Sequence, residues 1–172
     1  MTIKRTLLAV VVCLALACGT ANASALGVAT VTAVPLWTDT GLTVSGYSIS
    51  ISAAGVWDWG GGPTGPDGDF FYGCSGYDEF EQNCHHGQLI AFVGANPYAG
   101  TVNVDYYGIG SSGSIPNGLS GELWLGFNDD RESGATEDNS GSVEAVMTPE
   151  LSSIGLLVFG LTGLGLLKKR SR

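Results

Sequence analysis

The stretch Asn128-Asp129-Asp130-Arg131-Glu132-Ser133-Gly134-Ala135-Thr136-Glu137-Asp138-Asn139-Ser140-Gly141 places oxygen donors at both ends of one loop. Calcium is a hard cation that takes roughly six to eight oxygens from carboxylates, amides, main-chain carbonyls and water. Asp129, Asp138 and Asn139 could supply three side chains, with loop carbonyls and a neighbouring loop completing the shell. The same residue types also describe an acidic hairpin loop with a solvated Asp-Asn turn, and on composition alone that plainer reading prevails.

Other chemistry is sparse. The two histidines, His85 and His86, are adjacent, and neither a Gly-x-Ser-x-Gly elbow nor a His-Glu-x-x-His helix is present, so an enzyme is not expected. A glycosidase needs two carboxylates at a set separation, which is a matter of geometry rather than of sequence. Cys74 and Cys84 lie in a stretch expected to be secreted, where one disulfide is the simplest outcome. A metal site with His85 and His86 competes with that reading, but neighbouring side chains diverge in most backbones and both thiols would have to escape oxidation. Trp57, Trp59, Phe70, Phe71, Tyr72 and Tyr77 crowd the region before the cysteines. Such rings can stack on the C–H face of a sugar, but any one of them more often anchors the core or a loop of a small sandwich.

The elements that must carry these residues lie between two apolar ends. Residues 1–25 read as a secretory signal peptide, with Lys4 and Arg5 ahead of the run Leu7 to Ala17 and Ala-x-Ala triplets at the end. From Leu151 to Leu167 the chain is without charge for 17 residues, about 26 Å as a helix, and Lys168-Lys169-Arg170-Ser171-Arg172 follows. That pattern reads as a transmembrane segment with its basic end on the cytoplasmic side. Residues 26–150 hold one basic residue, Arg131, and sixteen acids, a charge of 1 − 16 = −15. Nucleic acid binding requires Lys and Arg to displace counterions from phosphates, so no nucleic acid partner is expected. A field of this sign draws cations.

The middle is expected to be a single all-β domain. Tyr47, Ile49, Ile51 and Ala53 alternate with Ser48, Ser50 and Ser52. Val102, Val104 and Tyr106 alternate with Thr101, Asn103 and Asp105; Leu123, Leu125 and Phe127 with Glu122 and Trp124; and Val143, Ala145 and Met147 with Ser142 and Glu144. Each reads as a strand with one wet face. Leu89 to Val93 is apolar throughout, as a strand covered on both sides would be. Gly60-Gly61-Gly62-Pro63, Gly65-Pro66-Asp67-Gly68 and Pro116-Asn117-Gly118 read as turns, and the whole as a β-sandwich or jelly roll.

Two resemblances sharpen these expectations. Gly121-Glu122-Leu123-Trp124-Leu125-Gly126-Phe127-Asn128-Asp129, a loop, then Asp138-Asn139-Ser140-Gly141-Ser142-Val143 resembles the calcium-dependent galactophilic lectin family of Pseudomonas, the PA-I type. Trp37-Thr38-Asp39-Thr40-Gly41, Ala54-Gly55-Val56-Trp57 with Trp59-Gly60, Gly65-Pro66-Asp67-Gly68 and Gly87-Gln88-Leu89-Ile90-Ala91 follow the same order, over residues 36–147. The resemblance implies a galactose-binding-like jelly-roll sandwich over residues 26–147. It nominates Asp129, Asp138 and Asn139 as calcium ligands, with the Trp59 main-chain carbonyl and a second carbonyl among Ser133 to Ala135. It also implies that Asp129 and Asp138 border the place where calcium would meet sugar hydroxyls. The family's His-Pro-Asp-Gln sugar grip has no counterpart in Phe70 to Cys84, and His85 and His86 stand too near the next strand to replace it. Calcium binding therefore carries over better than galactose specificity.

The tail, Pro149-Glu150, an apolar span and a terminal basic cluster, resembles the PEP-CTERM sorting signal of Gram-negative exopolysaccharide producers over residues 148–172. Leu151 stands where that signal usually has a second Pro. The resemblance implies a sorting protease, the exosortase, as partner, transient membrane anchoring and a destination at the cell surface or in the extracellular matrix. Together the expectation is an exported, calcium-binding, lectin-like module for carbohydrate or exopolysaccharide. The alternative is a structural matrix protein in which calcium only stiffens loops.

Overall fold

The computed structural model describes residues 26–73, 80, 83–129 and 138–150. Among these described residues ten strands follow in chain order: β1 (Gly27–Thr32), β2 (Trp37–Ser45), β3 (Ile49–Asp58), β4 (Pro63–Thr64), β5 (Asp67–Gly73), β6 (His85–Val93), β7 (Tyr106–Gly108), β8 (Ser112–Ile115), β9 (Ser120–Phe127) and β10 (Ser140–Pro149). Among the described residues the only helical turn is a short 3-10 turn at Pro97–Ala99. The strands form two antiparallel sheets, one ordered β1-β10-β3-β4 with β8 also on β3, the other β2-β9-β6-β5 with β7 also on β6. The all-β expectation therefore holds as a two-sheet sandwich. The signal and membrane segments lie outside the described residues, and among those described no helix is long and apolar enough to cross a membrane.

Alternation places the core between the sheets. Ile51 pairs with Met147, and Ala53 with Ala145, across β3 and β10, while Leu89 pairs with Phe127, and Ala91 with Leu125, across β6 and β9. Ile49, Ile51, Leu89, Leu125, Phe127, Ala145 and Met147 are all buried, whereas Ser52 and Glu144 face outward. Trp57 meets Phe127 edge to face at 4.6 Å and its Nε1 donates to the Gly65 carbonyl at 3.2 Å. One ring thus joins sheet to sheet and pins the turn that follows.

The fully apolar run in β6 is explained by a second layer of packing. Trp37, Phe80, Phe92 and Tyr106 form an aromatic cluster, with Trp37 edge-on to Phe80 at 5.0 Å and stacked on Tyr106 at 5.7 Å. Gly126 admits the Trp37 indole, since a Cβ there would lie 2.5 Å from the ring. Leu89 to Phe92 are accordingly all buried.

The expected strand at Val102 to Tyr106 is not formed in full. Residues 102–104 turn, and only Tyr106 and the two residues after it pair with β6. The reason is a local competitor for the backbone: Thr101 N donates to Asp105 Oδ2 at 2.7 Å, and the Thr101 carbonyl accepts from Val104 and Asp105, both at 3.1 Å. Val104 is left exposed. Tyr47 likewise stands just ahead of β3 rather than within it.

Candidate functional site

Three segments converge at one end of the sandwich: the end of β9, the start of β10, and the loop between β3 and β4. The register Ser140↔Asp58 and Gly141↔Trp57 sets Asn139 beside the residues that follow Asp58. Asn128 carries the β9 backbone onward past β6, its N–H donating to the Gln88 carbonyl at 3.0 Å and its carbonyl accepting from Gly87 at 2.8 Å. Its side-chain Nδ2 also donates to Cys84 Sγ at 3.0 Å. Asp129 is thereby held against the first residues of β6.

The residues nominated from sequence come together here. Asn139 Nδ2 donates to Asp129 Oδ2 at 2.6 Å, with Asp129 4% and Asn139 8% exposed. A carboxylate only accepts, so the amide nitrogen faces Asp129 and the amide oxygen faces elsewhere. That oxygen, Asn139 Oδ1, is buried and has no hydrogen-bond partner among the described residues. Asp138 is exposed and its carboxylate lies over Gly60 so closely that a Cβ at Gly60 would overlap it. Gly60 has φ +86° and follows Trp59 directly, while Asp58 Oδ1 holds the loop by accepting from Gly60 N at 2.8 Å and Gly62 N at 3.0 Å. Asp129, Asp138, Asn139 and the Trp59 loop thus share one end of the molecule. The 133–135 segment lies outside the described residues, as does Cys74, so the expected Cys74–Cys84 bridge does too.

His86 is the residue that sequence reasoning missed. Its Nε2 lies 3.4 Å from Asp129 Oδ1, it is buried, and the Trp59 ring meets it edge to face at 4.7 Å. Both oxygens of Asp129 are therefore engaged, one by an amide and one by an imidazole. The two histidines are the first residues of β6 and diverge as expected: His85 Nδ1 lies 3.0 Å from the Asp67 carbonyl and its ring is 4.4 Å from Phe70.

Chemically the end is an oxygen-donor site. Among the described residues no group of three or more His, Cys, Asp or Glu suited to a metal is assembled. The nominated side chains instead bring two carboxylates and an amide oxygen to one end, a donor set that suits a hard cation rather than zinc. A buried acceptor without a donor costs about 1–3 kcal/mol, and a cation in reach of Asn139 Oδ1 removes that penalty. The residues present fit calcium on this ground.

Two antiparallel sheets with loops gathered at one end define a β-sandwich. One solved structure it is similar to is the N-terminal domain of EclA, described as a PllA-like lectin, with a TM-score of 0.51, 23% identity, and coverage of 73% of this chain and 98% of that one. The likeness is one of fold. No protein-family model and no curated protein matches the chain.

Proposed function

We propose that this protein is an exported carbohydrate-binding module whose sugar site is built on a calcium ion held by Asp129, Asp138 and Asn139. The observation that carries the reading is the buried Asn139 Oδ1, without a donor among the described residues and beside a buried carboxylate, in a fold shared with a PllA-like lectin domain. The Trp59 main-chain carbonyl and a carbonyl of the 133–135 segment are the further donors in this proposal. When bound, calcium supplies open coordination positions suited to vicinal hydroxyls. The protein's own part is pre-organisation. Asn139 orients Asp129 through its 2.6 Å bond, His86 backs the second Asp129 oxygen, and Gly60 leaves room for the Asp138 carboxylate.

The proposal extends to location: the signal-like start and the PEP-CTERM-like end support export and delivery to the cell surface or matrix of a Gram-negative bacterium, with an exosortase-type protease and the membrane as passing partners. No catalytic role is assigned. Calorimetric titration with calcium tests the site. Binding near one equivalent, abolished in Asp129→Ala, supports it, and absence of binding by the folded protein rejects it. A glycan array with and without chelator then separates a lectin from a structural matrix protein, which would bind calcium and no sugar.

A further inference from the structure

Phe70 and Phe71 stand out at the edge of the second sheet, 71% and 95% exposed. Both lie on β5, where the pairing with β6 steps from Asp69↔His86 to Gly73↔His85, four residues of one strand against one of the other. A bulge of this kind lifts side chains off the sheet and re-aims them. Asp69 shapes it, its Oδ1 accepting from Phe71 N at 2.9 Å. The register sets the bulge beside the two residues that begin β6. Phe70 rests on His85 at 4.4 Å, and the neighbouring His86 reaches Asp129 at 3.4 Å. The aromatic bulge thus adjoins the strand end whose other residue, His86, backs Asp129.

We propose that Phe70 and Phe71 form an apolar subsite that contacts the C–H face of a sugar unit adjoining the one held at the Asp129, Asp138 and Asn139 end. This rests on the carbohydrate-binding reading and extends it to a second residue set. Two exposed phenylalanines side by side are unusual on a soluble surface and mark a contact surface. A pyranose is the class of ligand that offers both hydroxyl edges to an oxygen-rich site and a flat C–H face to a ring. The surrounding charge argues against a bilayer as the occupant, because residues 26–150 carry −15 and anionic headgroups repel such a surface.

The test is a glycan array of neutral mono- and oligosaccharides probed with the full-length protein in calcium, as wild type, Phe70→Ala/Phe71→Ala and Phe71→Trp. The expected result is at least a tenfold loss of affinity for the retained oligosaccharide in the double variant and retention in Phe71→Trp. The calcium isotherm and the thermal transition should not move in any variant. A glycan held equally by wild type and double variant overturns this subsite and leaves the carbohydrate reading standing. A wild type that retains no glycan overturns both. Loss of glycan accompanied by loss of calcium binding or of thermal stability also overturns the subsite, since the rings would then be structural. Wild-type binding to phosphatidylcholine vesicles, lost in the double variant while glycan binding persists, would reassign the bulge to lipid and overturn it as well.

Discussion

At the scale of single residues the site depends on small geometric allowances. Gly60 occupies φ +86° and sits under the Asp138 carboxylate, so Gly60→Ala meets both backbone strain and a collision. Left-handed backbone costs an L residue roughly 1–2 kcal/mol, and denaturant unfolding should register at least that loss. Calcium affinity should fall by tenfold or more in the same variant, because Asp138 must move. Asn139→Asp is the informative companion. It removes the amide donor to Asp129 and adds a carboxylate beside those of Asp129 and Asp138, so without calcium it should be destabilised by about 1–3 kcal/mol. Added calcium should restore more stability to it than to wild type, as measured by paired melts with calcium and with chelator.

At the scale of elements, one face of β6 packs on the inter-sheet core and the other on the aromatic cluster of Trp37, Phe80, Phe92 and Tyr106. Trp37 fills the space that Gly126 leaves open, so Trp37→Ala creates a cavity over β9 rather than a surface vacancy. The expected loss is about 3–5 kcal/mol by denaturant unfolding. A second element-level contact closes the far end of the β3 and β10 pair. Ser50 Oγ donates to Glu150 Oε1 at 2.7 Å, and hydrogen bonds from Ser50 and then Ser48 hold the Glu150 carboxyl below its ordinary range. A lowered folded-state pKa means that this contact contributes above the unfolded-state pKa and is lost as pH falls through the folded one. Carboxyl titration by NMR should show Glu150 moving up toward the ordinary carboxylate range in Ser50→Ala.

At the scale of the molecule, the proposed calcium site would link charge and metal. A domain that concentrates −15 on residues 26–150 repels itself, and the two carboxylates at the loop end add a local share of that repulsion. Calcium bound only by the folded state stabilises it by mass action, about 2.7 kcal/mol at a free concentration a hundredfold above Kd. The thermal transition should therefore rise with calcium and fall back with chelator in wild type. It should be indifferent to both in Asp129→Ala.

Much of this architecture follows from local pattern. The period-two alternation of Ile49 and Ile51, of Leu123, Leu125 and Phe127, and of Val143, Ala145 and Met147 could bury those residues only as strands with one inner face, and each lies in a strand. Asp129, Asp138 and Asn139 share one end of the molecule because they flank the single loop that joins β9 to β10. Pattern failed where a side chain outcompeted the ladder: the Asp105 carboxylate closes a turn over residues that alternate like a strand. It was silent where partners are distant in sequence. Trp37, Phe92 and Tyr106 meet only because β2, β9, β6 and β7 lie side by side in one sheet. His86 lies 43 residues from Asp129, and only the β6 and β9 register brings its Nε2 to that carboxylate. Strand alternation is a property of neighbouring residues, which the order of amino acids states directly, whereas the packing of one strand end against another is settled by which strands pair and in what register.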